Sequence, residues 1–188
     1  MNLKTIKLLF AVLSVATIWA GCKKDKDAVS APQSVANHPE IITTMKLTFV
    51  DSANTSNIKY ATFRDPDGDG GTQPTTHDTI KLAPNKTWIT KIVLLNETVS
   101  PADTISNEVL EEGVDHSFCF MPTGASITVT KTDLDANNRP IGLRSKWKTT
   151  SAGLGTMEVV LKHQAGTKDG TCAPGTTDIS VIFITKIE

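Results

Sequence analysis

The chain has few aromatic residues, few cysteines and almost no net charge: aromatics make up 5% of its 188 residues, and 19 basic side chains face 20 acidic ones, giving a formal charge of -1. Without a basic excess there is no field to hold a phosphate backbone, and nucleic acid is excluded as a partner. The one tyrosine and three tryptophans offer little for a sugar-stacking platform, and Trp88 and Trp147 read as core residues. Catalytic signatures are missing too. The sequence has no G-x-S-x-G, no H-E-x-x-H and no glycine-rich phosphate loop. Asp115-His116-Ser117 has triad composition, but consecutive strand positions do not converge on one substrate atom. The uncharged run at residues 8–21 has 14 residues, short of the roughly 17–25 that a membrane-spanning helix needs.

That run, preceded by Lys4 and Lys7, reads as a secretory signal peptide covering residues 1–21. Its end, Ile18-Trp19-Ala20-Gly21-Cys22, resembles a bacterial lipoprotein cleavage box, which implies lipidation of Cys22 and a membrane partner reached through the lipid anchor. Cleavage would leave 17 basic and 20 acidic groups, because two lysines and no acid depart. Lys23, Lys24, Asp25, Lys26 and Asp27 look like the charged signal that sends lipoproteins outward; the other reading is a solvated charge run. The expected location is the outer membrane, on its periplasmic face or at the cell surface. Residues 22–40 lack hydrophobic periodicity and form the lipidated cysteine and a flexible tether. As a coil, its roughly 18 residues span on the order of 25 Å.

From residue 41 to residue 188 the pattern is that of strands in a single β-rich domain. Met45, Leu47 and Phe49 share a parity, as do Met157, Val159 and Leu161, and again Ile179, Val181 and Phe183. Further apolar runs at 58–63, 79–82, 88–95, 117–121, 126–131 and 141–147 bring the expectation to about nine strands. The predicted fold is an all-β antiparallel sandwich of Ig-like type, the alternative being a closed β-barrel. One helix is expected within residues 100–113, with Ser100 as cap, Pro101 at the first helical position and Gly113 as terminator.

Several residues invite chemistry. Asp65, Asp67 and Asp69 stand at positions 1, 3 and 5 of a calcium-type loop with Gly70 at position 6; Gly71 would offer a carbonyl and Gln73 would reach position 9. Position 12 is Thr76, so Asp78 is the expected replacement carboxylate, and calcium is the expected ion. The competing reading is a polar turn. Asp133, Asp135 and Asn137 repeat the spacing, and there a solvated turn is expected. With Cys22 lipidated, Cys119 and Cys172 form an even pair in an oxidising compartment, which predicts a disulfide; the alternative is a buried thiol at Cys119 and an exposed one at Cys172. His116 shares a face with Phe118 and Phe120, and His163 continues the face of Met157, so the two can meet across the sheet. Two ligands do not complete a zinc site, and strand-end histidines with ordinary partners are expected.

Ile41-Ile42-Thr43-Thr44, Asp65-Pro66-Asp67-Gly68-Asp69-Gly70-Gly71, Leu95-Asn96-Glu97, Asp115-His116, Pro140-Ile141-Gly142-Leu143 and Leu161-Lys162-His163-Gln164 carry a further likeness. With them the chain resembles a family of uncharacterised Gram-negative lipoproteins often labelled as type 1 periplasmic-binding-fold superfamily proteins. The label implies two α/β lobes and a sugar-binding or receptor role. The chain's length and its poverty in helical periodicity point instead to the sandwich. The resulting expectation is a lipid-anchored, non-catalytic binding or structural domain whose partner is a protein, a glycan or a small molecule. The alternatives are a lipocalin-like carrier of an apolar ligand and a glycan-acting enzyme.

Overall fold

Alternation along Thr44–Asp51 turns Met45, Leu47 and Phe49 to one side, where all three are buried, because successive side chains on a strand point to opposite faces. The computed structural model describes residues 40–68 and 70–188, in which this segment is β1. It is followed by β2 (Asn54–Arg64), β3 (Thr76–His77), β4 (Ile80–Leu82), β5 (Thr87–Leu95), α1 (Ile105–Glu111), β6 (His116–Thr123), β7 (Ile127–Lys131), β8 (Arg144–Thr149), β9 (Gly153–His163) and β10 (Thr176–Ile187). The strands form a six-stranded sheet in the order β3-β2-β1-β5-β8-β7 and a four-stranded sheet in the order β4-β10-β9-β6.

The two sheets form a sandwich-like arrangement and do not close, so the barrel alternative is replaced by an open two-sheet fold, and the two α/β lobes implied by the family label are not formed. Among the described residues the strands pair antiparallel except β4 with β10, which is parallel. The interior is filled with side chains. Trp88 and Trp147 are directly paired across β5 and β8, both fully buried as expected, and Trp147 meets the rings of Phe49 and Phe120 edge-on at 5.1 and 5.6 Å. Phe118, Met157, Val159, Leu161, Val181 and Phe183 supply the opposing layer from the four-stranded sheet.

Two sequence expectations shift. The helix begins at Ile105 with Thr104 at its cap, not at Ser100-Pro101, because Asp103 is held back by paired backbone hydrogen bonds with Asn96 at the end of β5. Ile105 and Val109, four apart, face the core as the period requires. Gly113 lies just beyond the cap, and its lack of a side chain is needed for packing: a Cβ there would stand 2.6 Å from Ile141 Cδ1. The second shift is at residues 141–143, which precede β8. Phe118 N–H donates to the Ile141 carbonyl and Ile92 N–H to the Leu143 carbonyl, at 2.7 and 2.9 Å. The segment thus crosses from β6 in one sheet to β5 in the other, and its apolar residues are buried between them.

Candidate metal centre

The inner face of the four-stranded sheet is apolar apart from Thr185, and its last row is polar. There β6 begins with His116 and β9 ends with His163, and the two are direct cross-strand partners. Their rings meet edge-on, with His163 Nδ1 3.2 Å from His116 Nε2. On the other side of β9, β10 pairs Thr177 with Lys162 and then Ile179 with Leu161, so Asp178 is an extra residue in a β-bulge. A bulge re-aims the side chain it carries. Strict alternation would turn Asp178 outward between Thr177 and Ile179; instead its side chain is 2% exposed, with Oδ2 3.9 Å from His116 Nε2.

These groups hold more lone pairs than protons to share. His116 Nδ1 lies 3.2 Å from the Glu112 carbonyl, which can only accept, so Nδ1 carries the ring proton and Nε2 presents a lone pair to His163 and Asp178. Asp178 Oδ2 is buried and makes no hydrogen bond. Burial holds the His116 imidazole below its ordinary value, the Glu112 carbonyl opposing it, and burial pushes the Asp178 carboxyl up against the pull of His116, His163 and Lys162. One ligand atom each from His116, His163 and Asp178 lie within 4.8 Å of one another, and a second such group joins His116 to Glu40 and Glu112. Glu40 is raised to about 7 by burial and by the charges of Glu108, Glu112 and Asp178.

Glu40 and Asp178 also border an open cleft of about 510 Å³, together with Asp65, Asp67, Phe63 and Ile179. No lysine or arginine occurs among its described lining residues. The cleft therefore gathers four carboxyl groups beside an apolar wall, with no basic side chain among its described lining to balance them.

The structure treats the remaining sequence candidates differently. Asp67 is occupied locally: its carboxylate accepts from the Thr72 N–H at 2.7 Å and from the Thr72 hydroxyl, which, led by that N–H, holds it below the usual carboxylate range. Asp78 accepts from the Thr62 N–H at 2.9 Å on the neighbouring strand. Gly71 and Gln73 are exposed, and Asp69 lies outside the described residues, as does Cys22 with the whole of residues 1–39. Asp65 and Asp67 meet at the cleft wall. Cys119 and Cys172 are bonded, with Cα atoms 5.9 Å apart.

The expected solvated turn at 133–137 holds for Leu134, Ala136 and Asn137, which are exposed, but not for Asp135. Asp135 is buried and paired with Lys168 at 2.8 Å, and Asp133 accepts from the N–H groups of Gly142 and Arg144. Ser117 is fully buried and accepts from Lys131 Nζ at 2.7 Å, on the face of β6 opposite His116, so the Asp115-His116-Ser117 triad is not assembled.

Asp178 and Glu40 are site residues that sequence reasoning missed, Asp178 because of the bulge. Alternation assigns faces only while the register is unbroken, and the one available signal was an acid directly beside an otherwise regular inward set. No protein-family model, curated protein or solved structure matches this chain.

Proposed function

We propose that this protein is an extracytoplasmic lipoprotein, anchored through Cys22, whose β-sandwich works by binding rather than catalysis and takes a cationic ligand in the cleft at the end of the sheets. The observation that carries this reading is the cleft itself: about 510 Å³, bordered by Glu40, Asp65, Asp67 and Asp178, with the Asp178 oxygen buried and without a hydrogen bond. Two of these carboxylates, those of Asp65 and Asp178, are buried, and burying acids side by side is costly unless a cation compensates them.

Location is supported on separate grounds. The Cys119–Cys172 disulfide belongs to an oxidising compartment. Among the described residues no helix is long and apolar enough to cross a membrane, and the lipoprotein box at Cys22 supplies an anchor instead. Membership of the Gram-negative lipoprotein family that the sequence resembles is part of the same proposal.

The test has two arms. The full chain expressed in a Gram-negative host should incorporate labelled palmitate, and Cys22→Ser should abolish incorporation. The detergent-extracted chain, titrated calorimetrically with spermidine and with divalent metal salts, should bind at least one of these cations, more weakly as ionic strength rises. Binding of neither class, or binding indifferent to Glu40→Gln with Asp178→Asn, overturns the cleft reading.

A further inference from the structure

We infer that His116, His163 and Asp178 bind a divalent transition-metal ion of the zinc class at the inner end of this cleft. The inference deepens the cationic-ligand reading and rests on it. Two imidazole nitrogens and a carboxylate oxygen form the donor set, and such a set suits zinc, whereas calcium and magnesium take oxygen ligands throughout.

The 3.2 Å between His163 Nδ1 and His116 Nε2 is close to the edge of a tetrahedron with metal–nitrogen bonds of about 2.0–2.1 Å. Asp178 Oδ2, at 3.9 Å from the same nitrogen, needs to move only slightly to complete a third corner. Glu40 offers a carboxylate within 4.8 Å of a ring nitrogen of His116.

Three features show that the donors are built for the purpose. The Glu112 carbonyl accepts a hydrogen bond from the Nδ1–H of His116, the outer contact that fixes a ligating histidine's tautomer and turns the Nε2 lone pair toward the ion; the ion replaces the hydrogen bond between His163 Nδ1 and that nitrogen, the His163 ring proton shifting to its own Nε2. The bulge at Asp178 turns an acid into the interior, where its Oδ2 makes no hydrogen bond; an ion held between it and the two rings gives that oxygen its partner. The segment that links His163 to Thr176 is also tied down on its far side. Cys172 is bonded to Cys119, Lys168 is paired with Asp135, and Gln164 Nε2 donates to the carbonyls of Thr171 and Pro174. The ends of β9 and β10 that present the ligands are thereby held in place before any ion arrives.

The experiment uses the full chain in detergent, stripped with chelator and dialysed against zinc chloride. Mass spectrometry of the eluted metal should give one zinc per chain, and competition with a chromogenic chelator should give the affinity. His163→Ala and Asp178→Asn should each weaken zinc by more than about 100-fold, beyond the 10–100-fold typical of outer contacts, while Asp78→Asn leaves it unchanged.

Circular dichroism and the thermal midpoint of each chelated variant establish that it is folded. Because His163 is half-buried, the isosteric Asp178→Asn serves as the second test should His163→Ala misfold. Nitrogen-15 spectra of the histidine rings should show His116 Nε2 and His163 Nδ1 shifting on zinc addition, a change that a purely structural role would not produce. Substoichiometric zinc, or zinc binding unaffected by both substitutions, overturns the metal site. Spermidine binding without zinc binding overturns the metal site alone, and binding of neither overturns the cleft reading as well.

Discussion

Lys168 Nζ lies 2.8 Å from Asp135 Oδ2, with both side chains almost wholly buried. The ammonium also donates to the Gly113 carbonyl at 2.7 Å, while Asp135 Oδ1 accepts from the N–H groups of Asn137 and Arg139. One ion pair therefore joins the β9–β10 loop, the end of the helix and the turn before β8. Removing one partner strands the other charge. Lys168→Met should cost about 3–5 kcal/mol of stability in urea denaturation. Asp135→Asn should cost much less in the Lys168→Met background than alone, because the amide keeps the turn bonds and carries no charge. Additive losses would show that the pair is not coupled.

The disulfide closes a segment spanning 53 positions, from edge strand β6 to the β9–β10 loop. Chain-entropy arithmetic puts its contribution at roughly 4 kcal/mol. Replacing both cysteines by serine should lower the chemical midpoint accordingly, and reductant should have no further effect on the double variant. If the inferred metal site is preorganised by this loop, the double variant should also bind zinc more weakly while remaining folded.

Lys131 produces a specific alkaline signature. Burial first, and then the neighbouring Lys168, lower its value from 10.5 to about 8, with Asp133 opposing; the ammonium donates to the Ser117 hydroxyl at 2.7 Å. Below about pH 8 the ammonium is charged in both the folded and unfolded states, and the folded state bears the full burial cost. Between about 8 and 10.5 the unfolded chain binds more protons, so stability should rise with pH across that window. Urea midpoints measured along this range should climb more for the native chain than for Lys131→Met. Parallel curves would contradict the assignment.

Asp67 holds the turn after β2 through the N–H and hydroxyl of Thr72. Asp67→Ala should therefore lower the thermal midpoint through loss of the turn, with chelator and with calcium alike. A loss that appears only with calcium would instead assign ion binding to residues 65–71.

The exposed side chains of Ile58 and Tyr60 on β2 and Ile89 on β5 contrast with the buried Ala61 of β2 and the buried Trp88, Thr90 and Ile92 of β5. Such faces follow from the period of two, and that period was legible in the sequence: the parities of β1, β9 and β10, the core positions of Trp88 and Trp147, and the Cys119–Cys172 pairing could all be read from residue order and compartment. The meeting of His116 and His163 was legible as well, since each continues an inward row and both rows belong to strand ends.

Tertiary structure alone decided the rest. A period of two specifies a face but not a partner, so it could not bring Lys168 to Asp135 or Lys131 to Ser117, which lie 33 and 14 positions apart. Nor could it reveal a change of register. One extra residue in β10 inverts the expected direction of Asp178 and adds a buried carboxylate to two histidines. The physical reason is that a strand's alternation is a local property of its backbone, whereas a bulge is imposed by the register of the neighbour it pairs with. Here that neighbour, β9, ends at His163, which joins His116 and the redirected acid in one cluster.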